Sequence, residues 1–254
     1  MSPWELVAIA LAGAAAGFIN AVAGSGTLIT FPTLLAFGVP PVTANVSNNI
    51  GLVPGAISGV IGWRHELRGQ RTRALRLASA SVLGGLAGAV LLLVLPGEAF
   101  RAVVPVLVGL GLLLVAFQPL ITRRVVAAVN VDRDDPASDA RWLWPANAAT
   151  AVYGGYFGAA QGILLMAVLG LGTHTTLHRN NALKNLLAGL VNGVAAVVFI
   201  LVAEPDWVIV LLIAVGSIVG AQVGARAGRR MPSTVLRGFI IVVGVVALLV
   251  FLFR

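Results

Sequence analysis

The sequence predicts an all-α, polytopic membrane protein of two repeated halves with inverted topology, carrying about 8–10 membrane helical segments, some of them short, broken or re-entrant pieces. Three observations carry this prediction. Apolar residues make up 59% of the 254 and charged residues only 10%, with a mean hydropathy of +0.98, a composition unsuited to a water-facing surface. The charges sit in clusters between long uncharged runs, and breakers recur at a fixed spacing. Water-soluble enzymes and nucleic-acid-binding modules are thereby excluded, despite the net charge of +8. Zero cysteines exclude disulfides, thiolate nucleophiles and Fe–S clusters.

Each element follows from counting uncharged intervals against bilayer thickness, since a membrane helix needs roughly 20 mostly apolar residues. Residues 6–63 contain no Asp, Glu, Lys or Arg and have room for about three helical pieces. Gly24-Ser25-Gly26 and Gly38-Val39-Pro40-Pro41 divide them, because Gly and Pro interrupt helices. Residues 77–97 and 102–122 supply one span each. Residues 142–203 again hold about three pieces, with only Arg179 and Lys184 charged and with breakers at Gly154-Gly155 and Gly170-Leu171-Gly172. Residues 207–225 and 238–253 add one span each. The pieces near 27–37 and 162–171 are too short to cross comfortably, and short Gly-interrupted segments in matching positions point to a transporter's binding site. A cleavable signal peptide ending at Ala21-Val22-Ala23 is the rival reading of the N-terminus, but the stretch before it has Glu5 and no basic residue.

Loop charge sets the orientation, because short Arg-rich loops stay cytoplasmic. Residues 64–76 carry five Arg, 123–141 four and 226–237 four, which places these inside and the short connections at 96–101 and 204–206 outside. The second long interval then starts inside and ends outside. The first ends inside at Trp63, and nothing basic holds its N-terminus in the cytoplasm, so both intervals cross an odd number of times. The chain divides into a first membrane repeat (1–125), a cytoplasmic linker (126–140) and a second membrane repeat (141–254). Within the linker, Asp132-Arg133-Asp134-Asp135-Pro136 lacks the Gly and terminal Glu of a calcium-binding EF-hand and reads as a solvated hinge.

A gapless offset of 136 pairs Gly26 with Gly162, Asn45 with Asn181 and Asn49 with Asn185. The runs at 17–32 (GFINAVAGSGTLITFP) and 44–55 (ANVSNNIGLVPG), with those at 153–162 (YGGYFGAAQG) and 180–185 (NNALKN), resemble the duplicated signature of the TauE/SafE sulfite exporter family. The resemblance covers essentially the whole chain. It implies a multi-pass inner-membrane transporter with two repeated halves, associated with sulfite, sulfonates such as sulfoacetate, and other small sulfur-containing or organic anions. One departure is Ser25 and Thr27 flanking Gly26, where the family's first copy commonly carries a glycine triplet.

The residue chemistry gives a candidate substrate-binding set of Gly24, Ser25, Gly26, Thr27, Asn45, Asn48, Asn49, Gln161, Gly162, Asn181, Lys184 and Asn185. Glycines at a helix break let backbone N–H groups approach an anion; helix packing is the alternative. Gly51, Gly55 and Gly59, and Gly216, Gly220, Gly224 and Gly228, recur every four residues and read as small-residue seams. Buried amides line a polar wall or bond between helices. Lys184 has no carboxylate near it in sequence, which favours an anionic substrate over snorkelling beside Arg179. His174 and His178 have the spacing of two metal ligands, yet no Glu, Asp or Cys nearby completes a site, so no metal or cofactor is expected.

No Asp or Glu lies within an apolar span and no GxxxxGK[ST] loop occurs. Carboxylate proton relays and intrinsic ATP hydrolysis are therefore set aside. A secondary carrier for a small anion working by alternating access is the leading reading, with the lipid bilayer as its surroundings and no nucleic-acid partner. The alternatives are an anion channel, separable by flux kinetics, and an intramembrane enzyme using Ser25, whose context is not rhomboid-like. Homo-oligomerisation and direction of transport stay open. Reporter fusions after Arg68, Asp134 and Arg230 are expected to read cytoplasmic and fusions after Gly97 and Pro205 periplasmic; a periplasmic signal at Arg230 would overturn the inverted-repeat scheme.

Overall fold

A computed structural model of the chain describes residues 1–128, 136, 139–227 and scattered positions between 238 and 249. Among these residues there are helices and no strand: α1 (Pro3–Val22), α2 (Thr27–Ala36), α3 (Pro41–Gly62), α4 (Arg71–Val94), α5 (Gly97–Ala128), α6 (Leu143–Tyr156), α7 (Gln161–Gly172), α8 (Leu177–Val202) and α9 (Trp207–Ala227). The protein is therefore an all-α, multi-pass membrane protein. Helices α1, α4, α5, α8 and α9 are long and apolar enough to cross a bilayer. Helix α3 has 22 residues, and its first half, with buried Asn45, Ser47, Asn48 and Asn49, lies in the interior. Helices α2 and α7, of 10 and 12 residues, fall short of the roughly 20 that a span needs. Each long uncharged interval thus becomes three helices broken at its glycines. With no breaker after residue 122, α5 runs on past Arg123 and Arg124. The acidic run 132–135 and most of the span expected at 238–253 lie outside the described residues.

Helix association in lipid draws on close packing more than on apolar burial, so small residues mark the contacts. Helix α9 packs against α1 and α3, and α4 against α6 and α8. Gly216, Gly220 and Gly224 of α9 lie against the backbone of α1 at Ala10, Ala14 and Phe18, while Gly51 and Gly55 of α3 lie against α9 at Ile213 and Ser217. These are the expected seams except at Gly59, which has only Ala21 and Asn185 at 3.9 Å and lines a cavity instead; Gly228 lies outside the described residues. A second seam, which the spacing reading had not singled out, sets Gly84 and Gly88 of α4 against the carbonyls of Ala148 and Val152 of α6.

These contacts correct the repeat's register. Helices α3 and α8, and α4 and α9, start 136 residues apart, but α1 and α6 end 134 apart, as do the starts of α2 and α7. Ala148 and Val152 also follow Ala14 and Phe18 by 134. The physical reason is that α7 is two residues longer than α2, so one gapless offset cannot hold throughout. Gly24 therefore corresponds to Gly158, not Ala160, and Gly26 to Ala160, not Gly162. Both Gly24 and Gly158 adopt left-handed φ, 81° and 77°, as residues closing a helix C-terminus do. The N–H groups of Ala23 and Gly24 donate to the Ile19 carbonyl, and those of Phe157 and Gly158 to the Tyr153 carbonyl.

At the Arg-rich end, Asp139 closes the linker onto α4. Its carboxylate accepts from Arg73 Nε at 2.8 Å and Nη2 at 2.8 Å, and from Arg76 Nη2 at 3.0 Å. The Arg73 and Asp139 side chains are nearly inaccessible, so Arg73, one of the five arginines read as loop charge, is a core ion. A buried charge that loses its partner is strongly destabilising. Asp139→Ala is expected to lower stability by about 3–5 kcal/mol in equilibrium unfolding in detergent. Truncating the exposed Arg141 should change it by less than about 0.5 kcal/mol. Equal effects would refute the clamp.

Candidate functional site

Helix α1 stops at Val22 inside the protein, and the last carbonyls of a helix have no intrahelical partner. Hydrocarbon offers none either. Helix α8 supplies them. Asn181 Nδ2 and Asn185 Nδ2 each donate to the Ala21 carbonyl at 3.2 Å, and Lys184 Nζ donates to the Asn20 carbonyl at 3.0 Å. A cation at that end also meets the negative pole of α1's dipole. The other broken helix is capped in the same manner: Asn45 Nδ2 of α3 donates to the carbonyl of Tyr156, the last residue of α6, at 3.0 Å.

The two breaks touch. The Gly162 N–H donates to the Gly24 carbonyl at 2.9 Å, and a Cβ on either glycine would run into the other's backbone. Beside this crossing is a cavity of about 40 Å³ with polar walls of Asn20, Thr27, Gln161, Lys184, Asn185 and Asn192, and with Gly24, Gly59, Gly158 and Gly162 among the rest. That is room for about three waters, or one small oxyanion.

Of the predicted set, Gly24, Thr27, Gln161, Gly162, Lys184 and Asn185 line this cavity. The others stand around it. Ser25 is buried next to Gly24. The Gly26 N–H donates to Asn20 Oδ1 at 2.7 Å, and Gly26 packs on the Ala16 carbonyl. Asn48 accepts from the Thr30 hydroxyl, and Asn49 Nδ2 reaches Asn192 Oδ1 at 3.5 Å. Asn45 and Asn181 are the caps already described. Sequence reasoning missed Asn20, Gly158 and Asn192. Asn192 was within its reach, because it lies seven residues after Asn185 and so on the same helix face.

The backbone donors differ from expectation. The N–H groups of Gly24, Gly26, Gln161 and Gly162 are spent on Ile19, Asn20, Gly158 and Gly24, because tight breaks in an apolar interior must satisfy themselves. The Ser25 and Thr27 N–H groups donate to no partner among the described residues, and side-chain donors stand beside them. Gln161 Nε2 is buried without a partner among the described residues. Lys184 is 1% exposed, and of its three donors one has a protein acceptor, Asn20, among the described residues. No carboxylate among them pairs with it. Lys184 thus turns into the protein, whereas Arg179, five residues earlier, stays with the Arg-rich end, its Nε donating to Thr175 at 3.1 Å. At that end His178 stacks on Trp63, with ring centroids 6.1 Å apart.

This geometry can be set beside known proteins. A family model described as sulfite exporter TauE/SafE matches residues 9–251. The chain is 27% identical over 248 residues to the probable membrane transporter protein YfcA of Escherichia coli K12, covering 97% of this chain and 89% of that protein. It is 25% identical over 231 residues to the probable membrane transporter protein ORF9 of a Sinorhizobium species, covering 91% and 85%. A probable membrane transporter protein of Haemophilus influenzae is 26% identical over 237 residues, covering 91% and 88%. No solved structure matches. The family match spans nearly the whole chain, and the protein belongs to the sulfite exporter TauE/SafE family of membrane transporters.

Proposed function

We propose that the protein is a secondary carrier of the inner membrane for small anions, with sulfite or an organosulfonate as the leading substrate class. It works by alternating access at the cavity where the two halves, 1–125 and 141–254, meet. The observation that carries this reading is Lys184, a buried ammonium without a carboxylate partner among the described residues. A buried charge needs compensation, and an anion in the cavity would supply it. Thr27, at the positive N-terminal end of α2, adds donors of the sign an oxyanion requires. The neutral amides of Asn185 and Asn192 can orient it without adding charge.

The packing of the helices supports the same reading. α9 packs against α1 as α4 does against α6, and capped breaks from both halves cross at Gly24 and Gly162. A site built where repeats meet is one that rocking of the repeats can expose first to one side and then to the other.

Reconstitution into liposomes tests the proposal with sulfite, sulfate, thiosulfate, sulfoacetate and acetate. Saturable flux of at least one sulfur oxyanion or sulfonate is expected. Lys184→Gln should weaken its binding roughly 10- to 100-fold, the value of a charge-assisted hydrogen bond, with insertion and yield retained. Lys184→Arg should restore only part of it, because a planar fork replaces a compact point charge. Wild-type affinity in folded Lys184→Gln would reduce Lys184 to a cap for α1.

A further inference from the structure

The polar cavity has an apolar neighbour. A groove of about 430 Å³ runs between α3 and α8, walled by Val53, Ile57, Val60, Leu190, Gly193 and Val197. Ala56 and Gly189 line both spaces. At this seam a Cβ added to Gly189 would stand 3.5 Å from the Ala56 Cβ, so a single methyl facing bare backbone is what stands between them. Helix α8 sorts its residues accordingly. Lys184, Ala188 and Asn192 follow at one-turn spacing into the polar cavity, while Leu190, Gly193 and Val197 face the groove. Ile57 and Val197 are more than half exposed, so the groove opens to the hydrocarbon of the bilayer.

Gly193 supplies an independent sign. Most glycines of this fold press against a neighbouring backbone, but a Cβ on Gly193 would meet nothing within 4 Å. It destabilises its helix relative to Ala and gains no packing in return. Its effect is to keep the groove deep.

We infer that the transported anion is amphiphilic: its charged head lies against Lys184, and its alkyl tail passes the Ala56–Gly189 seam into the groove between α3 and α8. This rests on the anion-carrier reading above and narrows it to sulfonates or carboxylates on a short alkyl chain. A bilayer phospholipid fits the groove but not the whole site. About 40 Å³ admits a small oxyanion head, whereas a phosphodiester headgroup is far larger.

The test is equilibrium dialysis of the full chain in lipid nanodiscs against n-alkanesulfonates of one to eight carbons, with free aqueous concentrations measured. In the wild type each methylene over the first several carbons should tighten binding about fourfold. Gly193→Leu, whose Cβ would enter open space, fills the groove from α8, and Ile57→Trp fills it from α3. Both should bind methanesulfonate as the wild type does and lose the gain with chain length. The inference is overturned if the wild type shows no gain, or if both variants keep it, since plain partitioning into lipid would then explain it. A phospholipid that co-purifies with the wild type and not with Gly193→Leu, without any chain-length gain, also overturns it and gives the groove to the bilayer. Failure of every alkanesulfonate to bind, methanesulfonate included, would remove the carrier reading itself.

Discussion

A helix that ends inside a membrane protein must have its last carbonyls satisfied by other protein groups, because lipid cannot hydrogen-bond them. Two helices here end that way, α1 at Val22 and α6 at Tyr156, and much of the polar architecture answers to that constraint. The caps come from across the chain: Asn181, Lys184 and Asn185 of α8 serve α1, and Asn45 of α3 serves α6. The break before each short helix is thus capped from a helix distant in the chain. The glycines at the breaks allow the close crossing of Gly24 and Gly162, and the seams of α9 on α1 and of α4 on α6 hold the capped ends in register. The cavity is a by-product of this solution, since two breaks that cross leave unfilled volume beside them.

Capping and carrying draw on the same atoms. Lys184 needs only one of its three donors for the Asn20 carbonyl, and Asn185 bonds through its amide nitrogen while its side chain still lines the cavity. A group that is held by structure and still has hydrogen-bonding capacity to spare is already positioned when a ligand arrives, which lowers the cost of ordering it. Of the backbone N–H groups at the breaks, those of Gly24, Gly26, Gln161 and Gly162 are already bonded, as an open donor in an apolar interior is costly.

The coarse fold was legible because bilayer thickness is a ruler that the sequence must obey. Uncharged intervals gave three helices in each long run, and Gly and Pro placed the breaks within a few residues. Half of the candidate set lines the cavity, because polar residues in apolar helices are rare enough to stand out. What escaped has physical causes. The two extra residues of α7 lie in a uniformly apolar helix, where nothing marks an insertion, so Gly24 was set against Ala160 instead of Gly158. Arg73 and Asp139 looked like solvated loop charge, since two charges separated by a long stretch of chain carry no sign that they meet. Asn20 stood alone in its helix, and only the position of α8 shows that its carbonyl and its side chain serve the site from both ends.

The correspondence between the two long intervals also fails at Lys184. An offset of 136 sets Lys184 against Asn48. Asn48 accepts from Thr30 of α2, its own sequence neighbour, so its bond stays within the first half. Lys184 reaches across to α1 in the opposite half. A perfect repeat would put either two cations or none at the crossing: two would repel each other at short range in a low dielectric, and none would leave an anion without a counter-charge. A single off-axis lysine avoids both outcomes. It makes the cavity asymmetric, attached to α8 and roofed by the end of α1. Any motion that separates α8 from α1 must then break the Lys184–Asn20 bond.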